Sequence, residues 1–184
     1  MLIIGITGTN ASGKDTAAKF FAEKGFENFS VSDVIREEAR RRNIPITREN
    51  LQDLGKELRE KFGESHLAQK TLEKIKGNAV VTSFRHPKEV EAFRKNDNFT
   101  FLNIDAPVEL RFKRAQARNR GEEDATTLEE FKKQEARELA EKGPGQQLGV
   151  CMQMANYKIE NNGTKEEFYK KLENLFKSIQ NEEN

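Results

Sequence analysis

The sequence predicts a three-layer α/β/α fold in which helices cover both faces of a five-stranded parallel sheet. Three observations predict it. Five short apolar runs alternate with helical stretches, which is the pattern of β-α-β units. The 184 residues contain no repeat, low-complexity block or Pro/Gly/Ser-rich linker, so they read as one domain, residues 1–184. A chain of this length buries about 70% of its unfolded surface, so 35% hydrophobic residues are enough for a core.

Each element has its own signal. The apolar run 2–7 is a buried strand closed by glycine and polar residues, and a helix follows from Gly13 to about Lys24, with Gly25 at its stop. Residues 26–31 form a short second strand. Ser30 or Ser32 caps a helix over 33–42, whose Glu37, Glu38, Arg40, Arg41 and Arg42 make a salt-bridged solvent face. Thr47 caps the next helix; Leu51, Leu54, Leu58 and Phe62 lie on its apolar stripe, and Gly63 ends it. Another helix covers about 65–76. Residues 78–83 and 99–105 are two more strands, joined through a short helix over 86–95. Pro107 opens a helix at the position proline favours, 119–126 is a polar loop, and 128–140 is helical again before Gly143-Pro144-Gly145 breaks the chain. Residues 156–160 are the last strand. Thr164 and Glu167 then form a capping box, and Phe168, Leu172, Leu175, Phe176 and Ile179 give the final helix its buried face.

Composition removes several classes of function. Lys+Arg 32 against Asp+Glu 31 leaves a formal net charge of +1, so no global field draws the chain to nucleic acid or to an anionic membrane. Any anion site must be local. The single cysteine, Cys151, excludes an internal disulfide and Cys-based zinc sites and suits a reducing compartment. With no basic partner in view it reads as a small buried hydrophobe. No apolar run approaches the roughly 18 residues of a membrane span, and Met1-Leu2-Ile3-Ile4-Gly5 lacks a charged leader region. The expectation is a soluble, cytoplasmic protein, monomeric or homodimeric.

The chemistry concentrates in Gly8-Thr9-Asn10-Ala11-Ser12-Gly13-Lys14-Asp15-Thr16, between the first strand and the first helix. A triphosphate needs backbone N–H groups turned inward around it, which glycines such as Gly8 and Gly13 permit. It needs the positive end of a helix beneath it, and one cation long enough to reach the β- and γ-oxygens, here Lys14. The string meets all three requirements. Gly8, Asn10, Ala11, Ser12, Gly13, Lys14, Asp15 and Thr16 therefore read as an ATP-binding P-loop, which makes the fold class that of the P-loop NTPases. Asp15 stands where Ser or Thr normally faces Mg²⁺, and is also an acid that the helix dipole favours.

Gly13-Lys14-Asp15-Thr16 resembles the P-loop of the nucleoside and deoxynucleoside monophosphate kinases, the adenylate and cytidylate kinase group. The resemblance implies ATP and Mg²⁺ as cofactors, with Thr16 at the phosphate–metal end and Asp15 holding a metal-bound water. Ser30-Val31-Ser32-Asp33-Val34-Ile35-Arg36 is similar to the run in which those kinases hold the acceptor phosphate with Arg. There Arg36 would bind the acceptor, and Asp33 would orient Arg36 or touch the acceptor; spacing alone also fits a surface arginine. Phe84-Arg85 is similar to their Phe-Pro-Arg, without the proline, and implies a second acceptor arginine in Arg85. Thr82 and Ser83 stand where those kinases have a strand-end acid, which makes Asp15 the substitute. His86 beside Arg85 reads as a capping or packing residue, and His66 has no visible role.

Arg111, Arg114 and Arg118 lie at i, i+3 and i+7 on one helix face, with Arg120 in the loop that follows. Arg114 and Arg118 resemble the lid arginines that neutralise the transferring phosphoryl group, and a solvated basic face explains the same spacing. The lid would span about 111–127, without cysteines and so without zinc, and the acceptor-binding helices about 32–76. The turn at Asn162 resembles the loop that passes the adenine ring, and is equally a plain Asn-Gly turn.

The expected activity is transfer of the γ-phosphoryl group of ATP to a nucleoside or deoxynucleoside monophosphate. Lys14, Arg85, Arg114 and Arg118 would act in the transfer. Dephospho-CoA kinase is the close alternative, with a ribose hydroxyl as acceptor and Asp33 as base. A GTPase-like switch is disfavoured, because neither Asp-x-x-Gly nor Asn-Lys-x-Asp occurs. An ATP-binding regulatory module without an acceptor is the reading from another class.

Overall fold

Five strands, β1 (Ile3–Thr7), β2 (Glu27–Ser30), β3 (Ala79–Thr82), β4 (Phe99–Asp105) and β5 (Tyr157–Glu160), pair in the order β2-β3-β1-β4-β5. The computed structural model describes residues 1–118, 127–140 and 145–182. Every ladder is parallel, and parallel neighbours require crossover connections. Helices supply them. α1 (Lys14–Glu23) leads from β1 to β2, and α2 (Val31–Arg41), α3 (Arg48–Phe62) and α4 (His66–Leu72) lead on to β3. α5 (Pro87–Phe93) joins β3 to β4. α6 (Val108–Arg118), α7 (Leu128–Ala140) and α8 (Leu148–Gln153) lie between β4 and β5, and α9 (Lys165–Glu182) closes the chain. This is the three-layer P-loop fold that the strand–helix alternation predicts.

β1 is buried on both faces, as a central parallel strand must be. On one side Ile3, Val81 and Phe101 pack with Phe84, Phe93 and Leu58 beneath the helices α2 to α5 and α8. On the other, Ile4, Ile6, Leu102 and Ile104 meet α1 and α9, where Phe21 and Phe176 touch edge to face. Each fully buried aliphatic or aromatic side chain contributes roughly 1.5–3 kcal/mol of burial. The helix that leaves β1, α1, covers one face of the sheet and α2 to α5 cover the other, so the crevice at the carboxyl ends of the central strands is where a ligand fits.

The helix stripes are less faithful than the strands. Phe62, expected in the core, is 52% exposed and stacks on His66 at 4.8 Å, because α3 ends there and its last turn clears the sheet. α4 stops at Leu72 rather than near residue 76. α8 has no counterpart in the sequence reading; six residues are too few to show a helical period. It buries Leu148 and Cys151, and burial pushes the Cys151 thiol up to about 12, which suits a packing role. No described helix is long and apolar enough to cross a membrane.

Candidate active site

The loop after β1 is held in a shape that few residues adopt. Gly8 and Gly13 have φ of 142° and 112°, and Ala11 between them is also left-handed at 57°. A Cβ at Gly8 would strike the carbonyl oxygen of Ile104, and one at Gly13 the side-chain amide of Asn161. Asn161 ties the loop from outside: its Nδ2 donates to the Ser12 carbonyl at 2.9 Å, and its backbone N–H donates to Asp105 at 2.8 Å. The Thr9 hydroxyl donates to Asp105 at 2.5 Å. The hydroxyl oxygen of Ser12 is fully buried and has no hydrogen-bond partner among the described residues. An orphaned hydroxyl at the base of a glycine cradle is what a phosphate oxygen would satisfy.

Lys14 opens α1 and donates to the Thr9 carbonyl at 2.5 Å. Burial, and next the positive charge of Arg85, lower its ammonium to about 7, against the opposing pull of Asp15 and Glu138. Burial and the neighbouring guanidinium both disfavour the ammonium in the free site, and an anion at the loop would offset them.

A cavity of about 600 Å³ opens in front of the loop. Arg36, Arg48, Arg85, Arg114 and Arg118 all line it, together with Asn10, Ala11, Ser12, Gly13, Asp15 and Thr16. Arg36 reaches it from α2 and donates to Asp33 at 3.1 Å. Arg118 donates to Asn10 Oδ1 at 3.3 Å, and Arg114 to Asn161 Oδ1 at 3.4 Å, so α6 lays both arginines against the loop. Arg111, on the same helix, is not itself on the cavity wall, although it donates to the Asn10 carbonyl of the loop at 3.4 Å. It is buried against the Ala106 carbonyl and Glu135, where it fastens α6 to α7.

Arg85 follows β3 through Ser83, whose φ of 68° turns the chain toward the cavity, and Ser30 meets Ser83 in a hydroxyl pair at 2.9 Å. The peptide at Arg85 is fixed by Glu89. One carboxylate oxygen accepts the N–H groups of Arg85 and His86 at 2.9 and 3.1 Å, while the other takes Arg59 at 2.8 and 3.0 Å. Arg59 and Glu89 are 3% and 0% exposed. His86 caps α5 by accepting the Lys88 N–H.

Several of these residues carry no signal in the sequence. Arg48, Gln52, Arg59, Glu89 and Glu138 are ordinary charged or polar residues on helices, and Asn161 rather than its neighbour holds the loop. Asn162, expected beside adenine, is directed away to Glu160 and Lys171 and is not on the cavity wall. Arg120 and the expected lid residues 119–126 lie outside the described residues.

Among the described residues no group of three or more His, Cys, Asp or Glu converges to hold a metal ion. Mg²⁺ does not need one: it keeps several waters and takes one or two protein oxygens beside the phosphates. Asp15 and Thr16, both on the cavity wall in the first turn of α1, fit that requirement.

Comparisons with known proteins fit this geometry. A family model described as an AAA domain matches residues 4–140. The chain is similar to the UPF0200 protein of Pyrococcus horikoshii, 36% identical over 187 residues that cover 97% of each chain. It is 37% identical over 183 residues to a UPF0200/UPF0201 protein of Archaeoglobus fulgidus, covering 95% of this chain and spanning about half, 55%, of that relative. Among solved structures it is similar to shikimate kinase from Bacteroides thetaiotaomicron, with a TM-score of 0.62 at 13% identity over 96% of this chain and 98% of that one. Shikimate kinase from Acinetobacter baumannii in complex with shikimate gives 0.61 at 18%, over 99% and 94%. A gluconokinase from Sinorhizobium meliloti gives 0.56 at 11%, over 100% and 98%. At such identities these matches show the fold, that of P-loop small-molecule kinases.

Proposed function

The chain belongs to the UPF0200 family and carries an AAA-type P-loop domain, and from that premise we propose that it is an ATP-dependent kinase whose acceptor is a nucleoside or deoxynucleoside monophosphate. One observation carries the reading: Arg36, Arg48 and Arg85 from three different elements line the cavity across from the loop that fits a triphosphate. Arginine binds a phosphate bidentately and never loses its charge, so three of them facing a phosphate loop fit a second phosphate.

In this reading the loop amides and Lys14 hold the β- and γ-phosphates of ATP, and the Ser12 hydroxyl gains its missing partner. Asp15 and Thr16 would hold Mg²⁺, which would supply neutralisation of the phosphate charge. Arg36 and Arg85 hold the acceptor phosphate in line with the γ-phosphorus, and Arg114 and Arg118 stabilise the charge on the moving phosphoryl group. An oxygen of the acceptor phosphate forms the new P–O bond as the bond to the β-phosphate oxygen breaks and ADP leaves. The acceptor oxygen is already ionised, so no general base is required.

A hydroxyl acceptor is the second reading, favoured by Asp33, whose carboxylate bonds Arg36 at the cavity edge and would take the hydroxyl proton. The test is ADP release from Mg-ATP with each ribo- and deoxynucleoside monophosphate, dephospho-CoA, shikimate and gluconate. Strong stimulation by one monophosphate supports the proposal and names the substrate. Stimulation by a hydroxyl acceptor alone moves Asp33 to the base. Hydrolysis indifferent to every compound leaves an ATP-binding module without an acceptor.

A further inference from the structure

The acceptor side already contains an anion, and the protein supplies it. Glu138 projects from α7 into the cavity wall and is 3% exposed. Its Oε1 accepts from Arg48 and, at 3.3 Å, from Gln52; its Oε2 accepts from Arg85 at 3.2 Å. Two of the three acceptor-side arginines thus converge on one internal carboxylate. The third, Arg36, donates to the exposed Asp33 at 3.1 Å and faces the same cavity. We propose that Glu138 determines the specificity of the acceptor side: its carboxylate occupies the place of the acceptor's anionic group, and a phosphate dianion displaces it where a monocarboxylate does not.

The argument is one of exchange. A monocarboxylate that replaced Glu138 on Arg48 and Arg85 would trade one negative charge and two oxygens for the same. It would also compete with a group that the fold holds in place at an effective concentration on the order of millimolar or more. Such a ligand gains nothing. A phosphate monoester brings close to two negative charges and three acceptor oxygens, so it satisfies Arg48 and Arg85 and has an oxygen left for Arg36. Phosphate and Glu138 cannot both stay on the same two arginines, because like charges side by side in a partly buried site repel. The buried carboxylate would rise in pKa by burial, but Arg85 and Arg48 outweigh this and keep it ionised, which is the state an anion substitute needs. The device separates this chain from a site built for a carboxylated acceptor such as shikimate, although the folds are alike.

The inference rests on the acceptor side assigned above, but its test reads binding rather than transfer, so the two can fail separately. Glu138→Gln keeps size and removes charge. With the P-loop filled by a non-hydrolysable ATP analogue, inorganic phosphate and shikimate are titrated calorimetrically into wild type and variant. Should the analogue not bind, the same titrations are compared on the two free proteins. The variant is expected to bind phosphate about tenfold or more tightly than wild type does, and to bind shikimate, which wild type excludes. Phosphate affinity that is unchanged or weaker overturns the proposal and makes Glu138 a positioning residue for Arg48 and Arg85. A gain for phosphate without one for shikimate overturns the selection by charge. If Glu138→Gln does not fold, Glu138→Ala, which also removes the carboxylate, is read by the same criteria. Gained phosphate binding in a protein that transfers to no monophosphate would sink the proposed function and leave this inference standing.

Discussion

The two halves of the cavity are built by different means. The donor side is backbone: one string from Gly8 to Thr16, set by two glycines in left-handed conformation and by the N-terminus of α1. The side proposed for the acceptor is side chain: Arg36, Arg48, Arg85 and Glu138 come from α2, α3, the end of β3 and α7, and Asp33 lies in the smaller pocket that adjoins it through Arg36. Backbone amides carry partial charge that the fold can hold in the absence of ligand. Full guanidinium charges must be matched, so the acceptor side needs buried carboxylates, Glu89 and Glu138, to exist without its ligand. One half is organised by local conformation and the other by long-range charge pairing.

That comparison can be broken at several points. Lys14→Ala should have the largest effect, a fall in transfer of a thousandfold or so, since preorganised charges at the reacting phosphates are worth about 10²–10³ each. ADP release under saturating acceptor reads it, and transfer within tenfold of wild type would remove Lys14 from the donor site. Glu89→Gln should strike stability instead. It strips a fully buried pair of one charge and loosens two N–H groups at Arg85 and His86, a loss of about 3–5 kcal/mol in urea unfolding. A loss below 1 kcal/mol would mean that the acceptor side does not depend on charge pairing. Arg85→Ala should act on the acceptor alone: one charge-assisted contact is worth about 1.5–3 kcal/mol, or roughly 10–150-fold in acceptor KM. The KM for ATP should move about threefold at most. Equal effects on both substrates would erase the boundary drawn here between the halves.

The same boundary explains what could be read in advance. β1, the glycine loop and α1 are contiguous, and each residue's requirement follows from its neighbours, so the shape of the loop is legible from the string alone. The Thr164–Glu167 capping box was legible for the same reason, and its two reciprocal bonds are present at 2.8 and 3.2 Å. Glu138 was not. Its chain positions relative to Arg85 and Arg48 differ by 53 and 90 residues, and no spacing rule links a glutamate in a charged helix to partners so far away. Asn161 and Asn162 are chemically identical neighbours, and only the register of β5 decides which one turns inward to Ser12. Helical spacing groups Arg111 with Arg114 and Arg118, but α7 lies over that end of α6 and takes Arg111 into Glu135.

The smallest effect expected belongs to the donor side and is a proton count. In the folded protein Lys14 loses its proton near pH 7, whereas in the unfolded chain an ordinary lysine keeps it to 10.5. Between those values the unfolded chain binds more protons, so this residue makes stability rise with pH across that window. A bound triphosphate reverses the preference, because phosphate oxygens beside Lys14 favour the ammonium. Nucleotide binding at pH 8 should therefore take up about 0.9 proton at Lys14, and at pH 6 only about 0.1. Calorimetry in buffers of different ionisation enthalpy gives the number directly, and Lys14→Ala is the control that should abolish the difference between the two pH values. Uptake that is the same at both would mean that Lys14 stays charged in the free loop. The donor half would then meet its ligand with its charge already in place, and only the acceptor half would have to rearrange.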